Sequence, residues 1–188
     1  DIIEITNLNR QIAHKTNNIG FNKAENLAKE CIKINPNITV TFESSNFDIS
    51  KDINIFDIIF DCSDNQETKY ALNYLSHKHR KILISGSAVQ MEGQLSVLKS
   101  GLNNTLPCYE CIFPKTTEKA PITNCREAGI IGSITAFIAS MQVSEAIKEI
   151  ALLNYPSISG YLILYDGFSQ SLDKIKITKK NNCLICSN

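Results

Sequence analysis

The sequence predicts an α/β fold in which a doubly wound, parallel sheet continues into an antiparallel C-terminal part. Segments with the 3.6-residue period of an amphipathic helix alternate with short apolar segments that are typical of buried strands. Towards the C-terminus, strand segments instead follow one another around a short loop, as in antiparallel pairing. With 188 residues, of which 43% are hydrophobic, the chain is long enough for one domain with a substantial core.

The predicted elements follow in order along the chain. Residues 22–34 form a helix that must end before Pro36, because proline disfavours helical backbone in the residue before it. Residues 55–60 are nearly all apolar and predict a strand covered on both faces; the polar residues after it mark the edge where open α/β sheets bind ligands. The apolar face of the first helix comprises Ala24, Leu27, Ala28, Cys31 and Ile32. The other predicted elements are strands at 38–42, 81–85, 94–99, 160–165 and 172–177, and helices at 65–78 and 129–153.

Four of the seven cysteines form two C-x-x-C pairs, Cys108 with Cys111 and Cys183 with Cys186. Zn²⁺ favours tetrahedral sulfur ligation, and two such pairs supply four thiolates to one ion. Four protein ligands leave no position for an activated water, so the pairs predict a structural zinc that ties the C-terminus to the region around residue 108. A redox pair and disulfides are the alternatives. They are disfavoured because the chain has neither a thioredoxin-like pattern nor a signal peptide.

Charge and hydropathy exclude two classes of partner. Lys and Arg number 19 and Asp and Glu number 19, and neither sign is clustered, so we expect no nucleic-acid partner. No apolar segment approaches the roughly 20 residues that span a bilayer, so we expect no membrane partner. The sequence therefore predicts a soluble, cytoplasmic protein.

Five further short motifs occur in order along the chain. They are Thr6-Asn7-Leu8-Asn9-Arg10-Gln11, Gly20-Phe21-Asn22-Lys23-Ala24, Asp61-Cys62-Ser63-Asp64-Asn65, Met91-Glu92-Gly93-Gln94 and Cys125-Arg126-Glu127-Ala128-Gly129. With these motifs and both cysteine pairs, the chain resembles the ThiF/MoeB/HesA family of ATP-dependent activators of ubiquitin-like carrier proteins. The resemblance covers essentially the whole chain. It implies a Rossmann-like sheet, a single adenylation domain over residues 1–188 and, commonly, a homodimer.

The resemblance also implies an ATP site. Residues matching Arg10 and Lys23 contact phosphates, and the residue matching Asp64 orients Mg²⁺ or the α-phosphate region. This chemistry needs cations and a metal-binding carboxylate, because ATP is a polyanion and transfer of AMP to a carboxylate releases pyrophosphate. The alternatives are that Arg10 and Lys23 are solvated surface charges and that Asp64 is a helix N-cap, a role compatible with metal binding. The full set of implied nucleotide-binding residues is Thr6, Asn7, Leu8, Asn9, Arg10, Gln11, Lys23, Asp64 and Asn65.

Cys125 lies outside both cysteine pairs. It follows residues 114–124, which contain two prolines and three threonines and are predicted to form a mobile crossing loop. The adjacent Arg126 and the start of the long helix both favour the thiolate. In the thiamine-pathway enzyme the matching cysteine forms a covalent sulfur link with the carrier; the alternative is a cysteine that adenylation does not require, as in molybdopterin-type members. We predict that Cys31 and Cys62 are buried as small hydrophobic residues.

Two classes of function follow. The first is an adenylyltransferase that activates the C-terminal glycine of a ubiquitin-like sulfur carrier, with a cysteine desulfurase or related sulfur donor completing the thiocarboxylate. The Cys125 motif and Asp166-Gly167-Phe168-Ser169 resemble the thiamine-pathway enzyme, which is our sequence-based choice, whereas Met91-Glu92-Gly93-Gln94 resembles the molybdopterin-pathway enzyme. The second class is a non-catalytic, zinc-stabilised scaffold.

Three features of the family have no counterpart in this sequence, and the first of them, the phosphate loop, is by its absence the best support for the scaffold. They are the glycine-rich phosphate loop, an acidic residue that holds the ribose and an amino-terminal arginine. We therefore expect the chain to be truncated at its N-terminus, lacking the first βαβ unit, and to bind ATP poorly by itself.

Overall fold

The computed structural model describes residues 1–115, 129–151 and 155–187. The chain divides into two compact units, Asp1–Asp48 and Ile49–Asn188, and each is described by itself. The single adenylation domain over residues 1–188 stays a prediction.

The first unit is built around helix α1, Lys23–Ile34, which follows two short 3₁₀ turns at Ile5–Asn7 and Thr16–Asn18. The helix begins where the side chain of Asn22 accepts a hydrogen bond of 3.0 Å from the Glu25 N–H. It ends two residues before Pro36, as predicted.

Two predictions in the first unit are wrong. Residues 38–42 form no strand, because nothing in the described residues pairs with them; Ile38 is 43% exposed and Phe42 is 47% exposed. The buried face of α1 also differs from the predicted one. Leu27 and Ile32 are half-exposed, whereas Asn26 is buried and donates a 3.2 Å hydrogen bond to the Ala13 carbonyl.

The second unit is a five-stranded sheet in the order β1-β2-β3-β4-β5. Strands β1 and β2 are parallel, joined by α2, and the other neighbours are antiparallel. The α/β class and the change from parallel to antiparallel pairing are confirmed. The elements are β1 Ile58–Asp61, α2 Gln66–Lys78, β2 Ile82–Val89, β3 Glu92–Leu98, α3 Tyr109–Ile112, α4 Gly132–Ala151, β4 Tyr161–Asp166 and β5 Ser171–Lys176.

Strand β1 is shorter than predicted. Ile55 and Phe56 lie before it and are 78% and 47% exposed. Phe60, within the strand, is 43% exposed, so the strand is not covered on both faces by the described residues. The remaining predicted helices and strands of this unit are found close to their predicted positions.

Helices pack on both faces of the central part of the sheet. On one face α4 packs on the central strands, where the cluster consists of Ile84, Leu95, Val97, Ala146 and Ile163. On the other face α2 and α3 enclose a cluster of Leu72, Leu83, Leu98 and Tyr109. Among the described helices, none has the length and apolar character needed to cross a membrane.

Two glycines let α4 approach the sheet closely. A Cβ atom at Gly86 would lie 2.5 Å from Cδ of Gln142, and one at Gly93 would lie 2.5 Å from Cγ1 of Ile138. Any side chain at either position would displace a residue of α4.

Candidate functional site

The turn between β1 and α2 carries Asp64 and Asn65 at the carboxyl end of a parallel strand. Both side chains are exposed. Asn65 is the N-cap of α2, since its Oδ1 accepts a 2.8 Å hydrogen bond from the Thr68 N–H. The alternative in which Asp64 is the cap is therefore wrong, and Asp64 lies one residue before the N-cap.

Asp61, three residues earlier, is almost completely buried, with 1% of its surface exposed. Its Oδ1 accepts hydrogen bonds from the N–H and the hydroxyl of Ser63, at 3.0 and 2.7 Å. Its Oδ2 accepts from the Lys69 ammonium at 2.8 Å and from the Ser85 hydroxyl at 2.6 Å. The buried carboxylate is thus paired with a cation and accepts two hydrogen bonds at each oxygen.

The side chain of Gln142, in α4, binds backbone carbonyl groups of the strands at this site. Its Nε2 donates to the carbonyl oxygens of Asp61, at 3.2 Å, and Ile84, at 3.1 Å. Cys62 Sγ lies 3.8 Å from Gln142 Oε1 and donates to it. Cys62 is exposed, so the prediction that it is buried is wrong, because the chain leaves the sheet at this residue. Cys31 is half-buried.

A groove of about 440 Å³ lies on the open part of the sheet. Four of its lining residues form one continuous cross-strand row: Ser87, Gln94, Leu164 and Asp173. Because side chains alternate between the faces of a strand, Ser85 and Ser87 share a face. Ser85 bonds to Asp61, so the groove begins one row beyond the buried Asp61 network.

Two of the sequence motifs meet beside this groove. The Gly167 N–H donates a 2.7 Å hydrogen bond to the Met91 carbonyl. Asp166 accepts hydrogen bonds from the Ser169 hydroxyl, at 2.7 Å, and from the Phe168 N–H, at 2.8 Å, and these bonds hold the pKa of its carboxyl below the usual value. The turn is therefore held in one conformation at the rim of the groove.

The predicted phosphate-binding cations lie in the first unit. The Arg10 guanidinium donates to the Thr6 carbonyl at 3.0 Å and to Asn9 Oδ1 at 2.9 Å. The Lys23 ammonium lies 2.6 Å from Asp1 Oδ2. Neither cation is a fully solvated surface charge, because each is held by neighbours in its own unit.

The other residues of the first motif serve the local turn. Asn7 is buried, and its Oδ1 accepts a 3.0 Å hydrogen bond from the Glu4 N–H. Leu8 and Gln11 are half-buried, and Gln11 Oε1 has no hydrogen-bond partner in the part of the chain that the structure describes. The shared role of these residues and Asp64 in one ATP site stays a prediction.

The four cysteines of the two C-x-x-C pairs come together in one buried cluster. Their sulfur atoms all lie within 4.8 Å of one another. The Sγ–Sγ distances are 4.0 Å between Cys108 and Cys111 and 3.5 Å for the pairs Cys108–Cys183 and Cys111–Cys186. A tetrahedral zinc with Zn–S bonds of about 2.3 Å requires sulfur atoms about 3.8 Å apart, so the donor set fits the ion in number, type and spacing.

Hydrogen bonds and burial set the ionisation of this cluster. Burial raises the pKa of the Cys108 thiol to about 11 and also raises the pKa of Cys186. At Cys183 burial again opposes ionisation, but backbone N–H groups of Cys186 and Ile185 donate hydrogen bonds that bring its pKa below the usual value. Four thiolates at these spacings therefore need a bound cation to balance their charge.

Groups around the cluster point hydrogen-bond donors at its sulfur atoms. Asn73 Nδ2 donates to Cys108 Sγ at 3.6 Å, and the Lys180 N–H donates to Cys111 Sγ at 3.5 Å. Donors of this kind orient metal ligands and stabilise thiolates.

Cys125 lies outside the described residues, as do residues 116–124 of the predicted crossing loop. The role of Cys125 and the mobility of the loop therefore stay predictions.

Sequence reasoning quoted Asp61 in a motif without giving it a role, and it missed Lys69, Ser85 and Gln142. One signal in the sequence was available: an aspartate that ends a strand, followed eight residues later by a lysine in the first turns of a helix, can form a buried pair across the turn.

The ThiF family model matches residues 1–186. The chain is 38% identical over 191 residues to "Adenylyltransferase and sulfurtransferase MOCS3" of Drosophila persimilis, and 37% identical over 192 residues to the protein of the same name from Xenopus laevis. Each match covers 100% of this chain and 42% of the relative, so the chain spans less than half the length of these relatives.

Solved structures of similar fold include two of MccB from E. coli. The complex with ATP superimposes with a TM-score of 0.82 at 19% identity and covers 100% of this chain and 58% of that chain. The complex with succinimide gives a TM-score of 0.83 at 22% identity and covers 57% of that chain. At these identities the likeness shows a shared fold.

Proposed function

The chain belongs to the ThiF family, and from that premise we propose that it is part of an adenylyltransferase that activates the C-terminal carboxylate of a ubiquitin-like sulfur-carrier protein with ATP. The observation that carries the proposal is the 37–38% identity, over the whole chain, to relatives named adenylyltransferase and sulfurtransferase. The solved structure of MccB with ATP supports the use of this nucleotide.

The proposed reaction has two steps. A carboxylate oxygen of the carrier attacks the α-phosphorus of ATP, the bond to the pyrophosphate oxygen breaks, and acyl-adenylate and pyrophosphate form. In the second, a persulfide sulfur attacks the acyl carbon and displaces AMP to give an acyl disulfide, and a second thiol then cleaves that S–S bond, forms a disulfide with the donor sulfur and releases the carrier thiocarboxylate. Mg²⁺, when bound, would neutralise phosphate charge in the first step.

Each group of residues has a role in that first step. Asp64 would hold the metal ion and Asn65 lies beside it, Arg10 and Lys23 would bind phosphate oxygens, and residues 6–11 would line the nucleotide. An exposed carboxylate on a turn with buried anchors suits a metal ligand, because its position is fixed before the metal arrives.

The groove on the sheet suits the carrier's C-terminal tail. It lies one row from the Asp61 network, so a tail lying across Ser87 and Gln94 would end near the turn that carries Asp64. Serine hydroxyl, glutamine amide and aspartate carboxylate groups along the row offer partners for the backbone of an extended peptide.

The relatives favour the molybdopterin-type alternative over our sequence-based choice of the thiamine pathway. Both of these relatives carry the MOCS3 name, and Met91-Glu92-Gly93-Gln94 agrees with that type. A sulfur donor such as a cysteine desulfurase and a homodimeric assembly complete the proposal.

We also propose that the four-cysteine cluster holds a structural zinc ion. The fit of four thiol sulfurs to a tetrahedron supports this assignment. No open ligand position remains, so the ion would stabilise the second unit and take no part in adenylation.

ATP–pyrophosphate exchange by the full-length protein tests the proposal. We expect exchange that depends on a carrier with a free C-terminal glycine, with a molybdopterin-type carrier more effective than a thiamine-type one. A carrier amidated at its C-terminus is the matched control, because it presents the same surface without the nucleophile. Carrier binding without exchange for every carrier tested would support the scaffold instead.

A further inference from the structure

We propose that the buried ion pair of Asp61 and Lys69 positions the turn that presents Asp64 to the metal ion. This inference rests on the proposed function, because it concerns the carboxylate that would bind Mg²⁺. Neither residue of the pair would touch ATP; both would act through Asp64.

The pair closes the chain around Asp64. Asp61 is the last residue of β1 and Lys69 lies in the first turns of α2, so their contact at 2.8 Å joins the two ends of the segment that contains Asp64. Lys69 is 8% exposed at its side chain and Asp61 is 1% exposed, so solvent cannot substitute for either partner.

Within this closed segment the backbone is also fixed. Asp61 Oδ1 accepts from both the N–H and the hydroxyl of Ser63, the residue immediately before Asp64. Asn65, immediately after Asp64, is held as the N-cap by the Thr68 N–H. Both neighbours of Asp64 are therefore anchored, while its own carboxylate remains exposed.

Strand β1 is also anchored from the opposite face of the sheet. Gln142 donates to the Asp61 carbonyl from α4, and it reaches this position because Gly86 has no side chain in its way. Asp61 is thus held by its side chain from one face and by its backbone from the other.

A purely structural role predicts a different outcome from a positioning role. Buried ion pairs can often be replaced by neutral residues without loss of stability. A contribution to stability therefore does not by itself account for a buried ion pair at this position. If the pair positions Asp64, its removal changes how the protein responds to Mg²⁺ even when the fold is retained. Loss of groups that orient metal ligands typically costs about 10- to 100-fold in metal affinity or activity.

The test compares four variants of the full-length protein. Lys69→Met removes the cation, Lys69→Arg keeps it, and the double variant Asp61→Asn with Lys69→Met removes both charges so that none is left buried alone. Lys99→Met is the matched control. It breaks another partly buried pair, Lys99 with Glu149 at 2.9 Å. Lys99 follows β3, at the end of the strands opposite to the carboxyl end of β1.

The first measurement is the Mg²⁺ concentration that gives half-maximal ATP–pyrophosphate exchange. We expect it to rise about 10-fold or more in Lys69→Met and in the double variant. In Lys69→Arg it should stay within about threefold of the wild-type value, because the cation is kept. Lys99→Met should match wild type even where its melting temperature falls.

The second measurement does not need activity. Amide hydrogen exchange in residues 62–65 should accelerate about 10-fold or more in Lys69→Met and in the double variant, and should stay unchanged in Lys99→Met. If Lys69→Met does not fold, the double variant alone decides both measurements.

The outcomes separate the two proposals. Unchanged amide exchange and an unchanged Mg²⁺ requirement in a folded variant lacking the pair would overturn the positioning role, whatever the enzyme does. A different result is accelerated amide exchange in the variants that lack the pair, together with no pyrophosphate exchange by the wild-type protein. It would show that the pair fixes the turn, while the proposed function itself had failed.

Discussion

Asp64 is the residue on which the proposed chemistry depends most. Replacement by alanine should abolish ATP–pyrophosphate exchange in the full-length protein, because the metal and the α-phosphate would lose their protein ligand. Asp57→Ala is the control: this exposed aspartate lies immediately before β1, at its other end. Near-normal exchange in Asp64→Ala, with circular dichroism showing an intact fold, would refute the role.

Arg10 and Lys23 should each contribute to the rate of adenylation, because their positive charges would stabilise the triphosphate. We expect Arg10→Ala and Lys23→Ala each to lower exchange by about 10²-fold, as for other charge-stabilising donors. The matched control is Lys29→Ala, since Lys29 is an exposed lysine of α1 that pairs with Glu25. Steady-state exchange at saturating carrier provides the measurement. Equal activity of Lys23→Ala and Lys29→Ala would show that Lys23 is only a partner of Asp1.

Cys125 separates activation from sulfur transfer. Adenylation needs only ATP and the carboxylate, so Cys125→Ser should leave pyrophosphate exchange nearly intact. A covalent sulfur link needs a thiolate, so the same variant should form no carrier adduct that a reductant releases. Mass spectrometry under non-reducing conditions detects the adduct, with Cys31→Ser as control. If wild type forms no adduct either, the enzyme only makes the acyl-adenylate.

At the scale of single elements, sequence periodicity was informative where an element finds partners. The 3.6-residue period and Pro36 placed α1 correctly, and the alternation in residues 94–99 placed β3. The apolar residues at 38–42 look no different in sequence from a strand, but a strand needs a neighbour to bond with, which no sequence pattern supplies. The sequence also could not decide between Asp64 and Asn65 as the N-cap of α2. Both residue types are favourable caps, and only the geometry shows that Asn65 is the one used.

The packing of α4 on β2 gives an element-scale prediction. Gly86→Ala should destabilise the protein by about 1–3 kcal/mol, because the new methyl group would displace the Gln142 side chain from the carbonyls of Asp61 and Ile84. Gln142→Ala should also destabilise, since both carbonyls lose a donor. Urea denaturation of the two single variants and the double variant forms a thermodynamic cycle.

The cycle should show strong coupling, with the double variant losing less stability than the sum of the single variants. The alanine at position 86 meets no obstacle once Gln142 has been shortened. Additive losses would mean that the close approach at Gly86 does not depend on Gln142.

For the whole molecule, the sequence identified groups that are defined by residue type and spacing. The two C-x-x-C pairs predicted one cluster, and the structure brings all four sulfur atoms together. The Asp61 network was not predicted as a whole, because it joins β1, α2, β2 and α4. The eight-residue spacing of Asp61 and Lys69 indicates only that pair, and nothing in the sequence links Ser85 or Gln142 to it. Contacts between elements that are distant in sequence depend on the packing of the fold, which residue types alone do not determine.

The cysteine cluster joins residues that are 75 positions apart, so its metal should support the whole second unit. We expect one zinc per chain, and we expect Cys186→Ser to release it and destabilise the protein, because binding energy at a structural site contributes directly to folding. A loss of about 3 kcal/mol would lower the melting temperature of a chain of this size by about 6–12 °C. Elemental analysis and thermal denaturation measure the two effects, with Cys31→Ser as the control.

Low pH should release zinc and destabilise the protein, as we expect Cys186→Ser to do. Burial raises the pKa of Cys108 to about 11, so its thiol holds its proton tightly, and zinc must displace that proton to bind. As the pH falls, protons compete more successfully, and the difference in melting temperature between zinc-loaded and chelator-treated protein should shrink. If protein purified without chelators contains no zinc, or if that difference is the same at pH 8 and pH 5, the four cysteines do not form a zinc site.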